Sequence, residues 1–295
     1  MFKQYFCNNI QADHYFEESF MPRLSRFVLT DDPAWFCNLH RHKTEAELLY
    51  IEKGQTVYTI DDVSYVANEG DMVLIEAGCL HALAPANNAP CVTWTCAVRD
   101  FKFKGLGSLK VAHSGMYPVM PAGSYRKVLE NIFRTINSLR LMNTDAALFA
   151  CHSLAAVVTV MFHEKFQSSS IQLKTRKKSV LVKDVLEYLD DHYAEKISLQ
   201  QLCQKFHASE SYISHAFAKE YKVSPIHYVV ARRINEAKFL LANTKNNLSV
   251  ISHQVGYEHK SYFIKLFTKH VGYTPSEYRR KYAAEASPMF EKLHS

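Results

Sequence analysis

The chain has 295 residues, of which 47% are hydrophobic, and a formal net charge of +6. This length is enough for two domains, and the hydrophobic content is ordinary for a soluble globular protein. No stretch of sequence approaches the roughly 20 consecutive apolar residues that a bilayer requires, and residues 1–5 lack the apolar core of a signal peptide, so we expect a cytoplasmic protein.

The seven cysteines are odd in number and include no C-x-x-C pair. A disulfide framework or a zinc finger is therefore not expected. The charge is unevenly distributed, since residues 175–295 contain 19 Lys and Arg against 12 Asp and Glu, whereas residues 1–174 contain 16 against 17. A positive excess in one half is typical of a surface that binds phosphates.

Residues 23–104 are predicted to form short strands, because segments rich in β-branched and aromatic residues alternate with turns that contain Gly, Asn, Asp or Pro. Strands this short, at such regular spacing, indicate a small antiparallel barrel or jelly roll. The clearest strand segments are residues 57–60, 64–66, 72–75 and 91–95.

Three histidines and a glutamate lie in this strand-rich region. Residues two apart on a strand face the same way, so His40 and His42, and by strand parity Glu47, are expected to point inward. Inside a barrel such groups must bind a polar ligand, share a metal ion or bond to one another, because they are otherwise costly to desolvate. The two segments concerned are His40-x-His42-x4-Glu47-x6-Gly54 and Gly70-x5-Glu76-x-Gly78-x2-His81.

The spacing of both segments resembles the two sequence motifs of the cupin barrels. In metal-binding cupins the equivalents of these three histidines and of Glu47 ligate one divalent ion, so the resemblance implies the barrel fold. It also implies a metal-dependent isomerase or dioxygenase as an alternative function. The family's proline between the glycines is Glu76 here, and its final asparagine is Pro85, which favours the fold over the enzyme. We expect no cofactor, with a divalent metal ion on these four residues as the alternative.

From residue 123 to 166 the apolar period changes to that of helices. One apolar stripe begins at Val128, with Ser124 as its expected cap, and a second begins at Leu148, with Thr144 as its cap. Two amphipathic helices joined by a short turn form an antiparallel hairpin. The hairpin either packs entirely on the barrel or shares one face with a second subunit.

The next segment, residues 167–179, is polar and then basic with little periodicity, and we predict a linker. It separates a first domain, residues 1–166, from a second, residues 180–295. The first domain is expected to sense a ligand and is the candidate dimerisation domain.

One short pattern occurs twice between residues 199 and 278. Each copy predicts two short helices separated by a polar turn, which is a helix-turn-helix, and two such units in tandem indicate a protein that reads DNA. Ser224-Pro225 starts a helix of about 18 residues that acts as a stiff spacer between the units. Apolar residues that correspond in the two copies include Leu202 and Ile251, Phe217 and Phe267, and Tyr228 and Tyr278.

The second copy and the spacer carry the most specific motifs of the chain: Arg233-Ile234-x2-Ala237-x2-Leu240-Leu241, Val255-Gly256-Tyr257-x3-Ser261-Tyr262-Phe263-x3-Phe267 and Gly272-Tyr273-Thr274-Pro275-x2-Tyr278-Arg279. With these motifs, residues 180–282 resemble the DNA-binding domain of the AraC/XylS family of bacterial transcription regulators. Many members of that family carry an N-terminal cupin-like sensor domain. One departure is Lys222, which stands where the second copy has Gly272, a residue type that commonly ends a helix.

The resemblance implies two sets of DNA contacts. Lys donates to guanine, Ser bonds to several bases and His donates to an acceptor, so one set is suited to base reading, whereas the other fixes register on the phosphates. The base-reading positions are Ser211, Ser214 and His215 in the first unit and Lys260, Ser261 and Lys265 in the second. The phosphate positions are Lys219, Arg232, Lys269, Arg279 and Arg280.

The resemblance thus implies an α+β protein of two domains that regulates transcription, with activation as the commoner behaviour. Its expected partners are double-stranded DNA, a small-molecule effector such as a sugar, a second copy of the chain and RNA polymerase. A cupin enzyme would not explain the basic double repeat, and an architectural DNA-binding protein would not need the strand-rich domain. The candidate effector contacts are His40, His42, Glu47, His81, Tyr58 and Trp94, which offer hydrogen bonds and a stacking surface.

Overall fold

The protein folds into a strand-rich N-terminal part followed by helices, which confirms the expected α+β fold with an N-terminal barrel and an all-α C-terminal part. Of the predicted linker only residues 167, 168 and 179 are described, and the rest lies outside the described residues. The domain boundary therefore stays a prediction. The computed structural model describes residues 14–17, 20–31, 36–86, 91–142, 144–168 and 179–282.

The strands of the described residues lie in two antiparallel sheets. They are β1 (Arg23–Thr30), β2 (Cys37–His40), β3 (Ala46–Lys53), β4 (Gln55–Ile60), β5 (Val63–Asn68), β6 (Asp71–Ile75), β7 (His81–Pro85), β8 (Val92–Arg99) and β9 (Val119–Pro121). One sheet has the order β1-β8-β3-β6-β9 and the other the order β2-β7-β4-β5. All four strand segments predicted from the sequence are confirmed.

Alternation along the strands divides the apolar residues between two cores. Leu49 and Ile51 of β3 face the other sheet, where they share a core with Tyr58 and Tyr65. Leu48 and Tyr50, which alternate with these two residues along β3, face outward and pack under the helices. The parity of β3 therefore decides which of its side chains line the barrel interior and which support the helices.

The predicted helical hairpin consists of α1 (Arg126–Leu139) and α2 (Asp145–Gln167). Phe133 of α1 and Phe162 of α2 are fully buried against the outer face of the larger sheet. The Thr144 hydroxyl caps α2 by accepting from the amide of Ala147, as predicted. The predicted cap Ser124 is wrong, because it lies in a short 3-10 turn that leads into α1 and makes no capping bond.

Helix α2 corrects the expectation that no segment is long and apolar enough to cross a bilayer. Among the described residues, α2 is the one helix that is long and apolar enough to cross a bilayer, by length and composition alone. However, Cys151, Ala155 and Val158 are fully buried against the barrel, as in the core helix of a globular domain.

Seven helices follow in the C-terminal part of the described chain. In the first of them, the apolar residues Val182, Val185, Leu186 and Leu189 form one buried stripe. The long helix α6 lies at the centre and contacts the first unit, the second unit and strand β2. The helices are α3 (Val180–His192), α4 (Leu199–Phe206), α5 (Glu210–Tyr221), α6 (Pro225–Asn243), α7 (Leu248–Gln254), α8 (Lys260–Val271) and α9 (Pro275–Tyr282).

The barrel and the helical part pack directly against each other. Leu80, which precedes β7, is buried in the core of the first helical unit, and Leu39 of β2 packs beside it. The side chain of Asn235 on α6 donates to the carbonyl of Asn38 at 2.9 Å. Strand β2 and helix α6 thus form a mixed apolar and polar contact, which places the barrel beside the spacer helix of the DNA-binding units.

Candidate nucleic-acid interface and effector site

The first helix-turn-helix unit consists of α4 and α5, and side-chain caps set the start of both helices. Ser198 and Gln201 cap α4 reciprocally, each accepting from the backbone amide of the other. Ser209 caps α5 by accepting from the amide of Tyr212 at 3.2 Å. His207 between them adopts a left-handed φ of 50°, which turns the chain from one helix to the next.

The second unit, α7 and α8, repeats the first in its pattern of burial. Residues 261–270 match residues 211–220 position by position in being exposed, half-buried or buried. Phe217 and Phe267 are the fully buried anchors of their units. Of the predicted base-reading residues Ser214 is half-buried, and the exposed ones are Ser211, His215, Lys260, Ser261 and Lys265.

Two tyrosines on the same helices were missed as site residues. Tyr212 is 54% exposed on α5, and Tyr262 is 58% exposed at the corresponding position of α8. Sequence analysis assigned them to the apolar pattern of the repeat, although an apolar residue at the same position of both copies could equally mark a shared contact surface. Their exposure places them beside the predicted base-reading residues.

The predicted phosphate contacts divide into two groups. Lys219, Lys269 and Arg280 are exposed. Arg232 instead pairs with Glu236 at 2.9 Å on α6 and faces the barrel side. Its assignment to phosphate is wrong, because spacing along α6 does not reveal that this face packs against another domain.

Arg279 is half-buried. Its guanidinium donates to the carbonyl of Leu241 at 3.3 Å and to that of Asn246 at 2.5 Å, so it joins α9 to the end of α6 and to the segment that follows. These bonds stabilise the second unit, and contact of Arg279 with a phosphate stays a prediction.

A single arginine fixes the two units relative to each other. From α6, Arg233 donates to the carbonyls of Tyr193 and Glu195 at 2.6 Å each and to that of Gly256 at 2.8 Å. The first two carbonyls precede α4 and the third lies in the turn between α7 and α8. Because a guanidinium presents several donors in a fixed plane, Arg233 ties both units to the spacer helix.

The predicted histidine and glutamate positions do converge. The nitrogen ligand atoms of His40, His42 and His81 lie within 4.8 Å of one another. Glu47 approaches two of them, with its Oε1 3.3 Å from His42 Nε2 and its Oε2 3.4 Å from His81 Nε2. Their role as effector contacts stays a prediction.

Sequence analysis missed two charged members of this cluster, Arg26 of β1 and Glu45. Arg26 Nη2 lies 2.5 Å from Glu47 Oε1 and 2.8 Å from Glu45 Oε1. Burial alone would raise the pKa of Glu47, but the charge of Arg26 beside it holds the pKa well below its usual range. No sequence signal marked Arg26, because β1 belongs to neither motif and meets the cluster only through sheet pairing.

The two aromatic residues of the candidate effector site lie on different faces. Tyr58 is buried in the barrel interior, where burial raises the pKa of its hydroxyl well above the usual range. Trp94 lies on the outer face of β8, stacks on Phe133 of α1 and donates to Glu52. The assignment of Trp94 to the effector site is therefore wrong, since strand parity turns it toward the helices.

The donor set fits a divalent ion. His40 and His81 each approach a backbone carbonyl through Nδ1, at 2.8 Å from Asn38 and 3.0 Å from Cys79, which leaves both Nε2 atoms as lone-pair donors toward the cluster. Burial, with the neighbouring imidazoles, lowers the pKa of His40 well below its usual range and favours that neutral form. Arg26 supplies competing positive charge beside Glu47.

The segment that carries the histidines is also bound to the helical part. Arg41, between His40 and His42, donates to the carboxylate of Asp190 at the end of α3. Asp190 in turn accepts from the hydroxyl of Tyr228 on α6 at 2.5 Å. Lys43 forms a second pair with α3. Arg41 thus links the histidine segment to the helices that support the first DNA-binding unit.

Comparison with known proteins supports both halves of this description. A helix-turn-helix domain family matches residues 202–281 and a cupin domain family matches residues 27–97. The apo structure of ToxT from Vibrio cholerae is similar in fold, with a TM-score of 0.50 at 14% identity, covering 87% of this chain and 97% of that one.

Two curated relatives are similar over most of their length. The uncharacterized HTH-type transcriptional regulator YdiP of Escherichia coli (strain K12) is 40% identical over 278 residues, which is 94% of this chain and 92% of the relative. The lactose operon transcription activator of Staphylococcus xylosus is 22% identical over 79% of this chain and 83% of its own length. These relatives are transcription regulators and not enzymes. With its two helix-turn-helix units behind a cupin barrel, the chain belongs to the AraC family of DNA-binding transcription regulators.

Proposed function

We propose that the protein is a cytoplasmic transcription activator whose DNA binding responds to a small molecule sensed by the barrel. The observation that carries this proposal is the ion pair of Arg41 with Asp190, because it joins the histidine segment directly to the helices of the first DNA-binding unit. A sensor that touched only the barrel would have no such route to the DNA contacts.

The operator should consist of two short, different elements. The reading helices α5 and α8 are held on one stiff spacer by Arg233, so they should enter successive major grooves about 34 Å apart on one face of the duplex. The two helices carry different side chains, with His215 on one and Lys265 on the other. One protomer would therefore read a non-palindromic site, and a dimer would read it twice.

The effector is a sugar or another polar metabolite that contacts His40, His42, Glu47 or His81. Lone pairs on two imidazoles and a carboxylate held ionised by Arg26 offer acceptors to hydroxyl groups. If a divalent metal ion binds instead, the three histidines and Glu47 would hold it and it would act as a Lewis acid that binds the effector.

The protein should act as a homodimer through the outer face of the helical hairpin, and as an activator it would contact RNA polymerase. Ile136 and Val158 of the hairpin are not available to a partner, since both are fully buried against the chain's own barrel. Other apolar residues of the hairpin are exposed: Val128 is 48%, Phe149 73% and Val157 47% exposed. Large exposed apolar patches are typical of interaction sites.

The decisive experiment is a gel-shift against the DNA that flanks the protein's own coding sequence. Wild type should bind in a footprint of two elements. His42→Ala should bind the same DNA with unchanged affinity but lose the change in affinity that a co-purified or thermally stabilising effector produces. The matched control is Lys127→Ala, an exposed residue of α1. If the wild type did not bind this DNA specifically, the proposed regulatory function would be refuted. If His42→Ala kept its response to the effector, the effector site would lie away from His42.

A further inference from the structure

The exposed tyrosines Tyr212 and Tyr262 occupy the same place on the two reading helices. Each is the third residue of its helix, in α5 and in α8 respectively. In a helix-turn-helix the N-terminal residues of the second helix contact the base edges in the major groove. Since Tyr212 is 54% and Tyr262 58% exposed, both rings are accessible to DNA from this position.

Both tyrosines share a face with the predicted DNA contacts of their helices. Residues three and four apart on a helix are neighbours on its surface. Each tyrosine therefore begins an exposed stripe that continues through a predicted base-reading residue to a predicted phosphate contact. The stripes are Tyr212, His215 and Lys219 in α5 and Tyr262, Lys265 and Lys269 in α8.

The same residue type stands at this position in both copies of the pattern, and burial in a core does not account for it. Phe217 and Phe267 also match, but they are the fully buried anchors of their units. More than half of each tyrosine is exposed instead. A position that is common to both units and faces solvent points to a contact that both units make.

The ring of Tyr262 is held by the turn that precedes its helix. It meets the ring of Tyr257 edge-on, with the ring centroids 6.0 Å apart. Tyr257 is 5% exposed, and the guanidinium of Arg233 lies over its ring at 5.0 Å from the centroid. A ring supported in this way loses less side-chain freedom when it binds DNA than an unsupported one does.

The two tyrosines supply a chemistry that the other predicted base-reading residues lack. Those residues are Ser, His and Lys, which read bases through hydrogen bonds. In the major groove the 5-methyl group of thymine is instead read by apolar contact. The ring of a tyrosine can make that contact, whereas a serine hydroxyl or a lysine ammonium cannot.

We propose that Tyr212 and Tyr262 each contact the 5-methyl group of one thymine, so that each operator element contains a T·A pair at the place that its tyrosine faces. The proposal rests on the proposed operator of two elements and adds to each element one specificity-determining residue and the base that it reads. Donation from the tyrosine hydroxyl to a phosphate is the alternative that the test distinguishes.

The test uses the full-length protein and the duplex that it enriches from a pool of random DNA. Each thymine of this duplex is replaced in turn by deoxyuridine, which lacks only the methyl group. Wild type should bind about fourfold more weakly after one such replacement in each element, because burial of one such group stabilises by about 0.8 kcal/mol.

Substitutions assign each methyl group to its tyrosine. Tyr212→Ala should abolish the effect of deoxyuridine in one element and Tyr262→Ala in the other, whereas Tyr212→Phe and Tyr262→Phe should keep it. The matched control is Val250→Ala, which changes a 41% exposed apolar residue of α7 outside the reading helices and should keep both effects.

The proposal would be overturned if no deoxyuridine weakened binding of the wild type, or if both effects persisted in the alanine variants. Equal weakening by the phenylalanine and alanine variants, independent of the thymine methyl groups, would assign the hydroxyls to phosphates and would also overturn it. If the wild type enriched no sequence, the regulatory function itself would fail, whereas an enriched sequence without the deoxyuridine effects would leave that function standing.

Discussion

Gly256, in the turn of the second helix-turn-helix unit, should tolerate no side chain at all. Its φ is +88°, and a Cβ built on it would lie 2.4 Å from the carbonyl oxygen and 2.7 Å from the carbonyl carbon of Ala194. The segment that contains Ala194 cannot simply move away, because Arg233 holds the carbonyls of the two flanking residues, Tyr193 and Glu195. Gly256→Ala should therefore separate the two units.

The matched control is Gly272→Ala. Gly272 has a similar φ of +80°, but nothing lies within 4 Å of its added Cβ, so only the left-handed conformation costs free energy, about 1–2 kcal/mol. Lys222 at the corresponding position of the first unit, with φ of 59°, shows that the fold accepts a side chain there. Gly256→Ala adds overpacking of about 1–3 kcal/mol to the same strain.

The free energy of unfolding should be measured by urea denaturation followed by far-UV circular dichroism, which reports the helices. Tryptophan fluorescence serves as an internal reference, because both tryptophans precede residue 100 and report the N-terminal part. Gly256→Ala should lose more stability than Gly272→Ala in the helical transition and should lose operator contact at one element. Equal losses for the two variants would refute the role assigned to the close approach at Ala194.

Four further predictions concern the two sites and the assembly. His215→Ala and Lys265→Ala should each relax sequence preference at a different operator element, by about 1–3 kcal/mol in competition binding, whereas uniform weakening would reassign the residue to the phosphates. Asp190→Asn should destabilise the protein by about 3–5 kcal/mol in urea unfolding, because it leaves Arg41 without its buried partner; an unchanged midpoint would contradict this. The pKa of Glu47 is lower in the folded than in the unfolded protein, so its carboxylate stabilises the fold above the unfolded pKa and loses this effect as the pH falls through the folded pKa. The difference in unfolding free energy between wild type and Glu47→Gln should therefore close below about pH 4. A difference that stays constant with pH would reject the ion pair. Phe149→Asp should convert a dimer to a monomer in sedimentation, and a wild type that is itself monomeric at micromolar concentration would exclude the dimer.

Repetition made the helical part predictable from the sequence. Two copies of one pattern constrain each other, so a residue such as Phe217 is identified as a core position both by its own helix period and by its counterpart Phe267. The cap of α2 was equally local, since the prediction of Thr144 needed only the few residues that follow it. Ser124 failed because a 3-10 turn inserted between the cap and the helix is not visible in an apolar stripe.

The residues that sequence analysis misplaced or missed depend on packing between elements distant in the chain. Trp94 was assigned to the barrel interior by its residue type, whereas its face is set by the pairing of β8 with its neighbours. Arg232 lies on the face of α6 that the barrel covers. Arg26 reaches Glu47 only because β1 lies in the same sheet as β3. Periodicity gives the relative orientation of neighbours along one element but not which element covers each face.

The segment from His40 to Lys43 shows how a short stretch can serve both domains. His40 and His42 join the cluster, whereas the intervening Arg41 and the following Lys43 pair with acidic residues of α3. Alternate side chains thus face the histidine cluster and the helical part, so a ligand that displaced the imidazoles would act on the backbone segment that carries both cations. Because α3 packs on α5, the proposed effector should act first on the element read by the first unit, and Arg233 would transmit the remainder to the second.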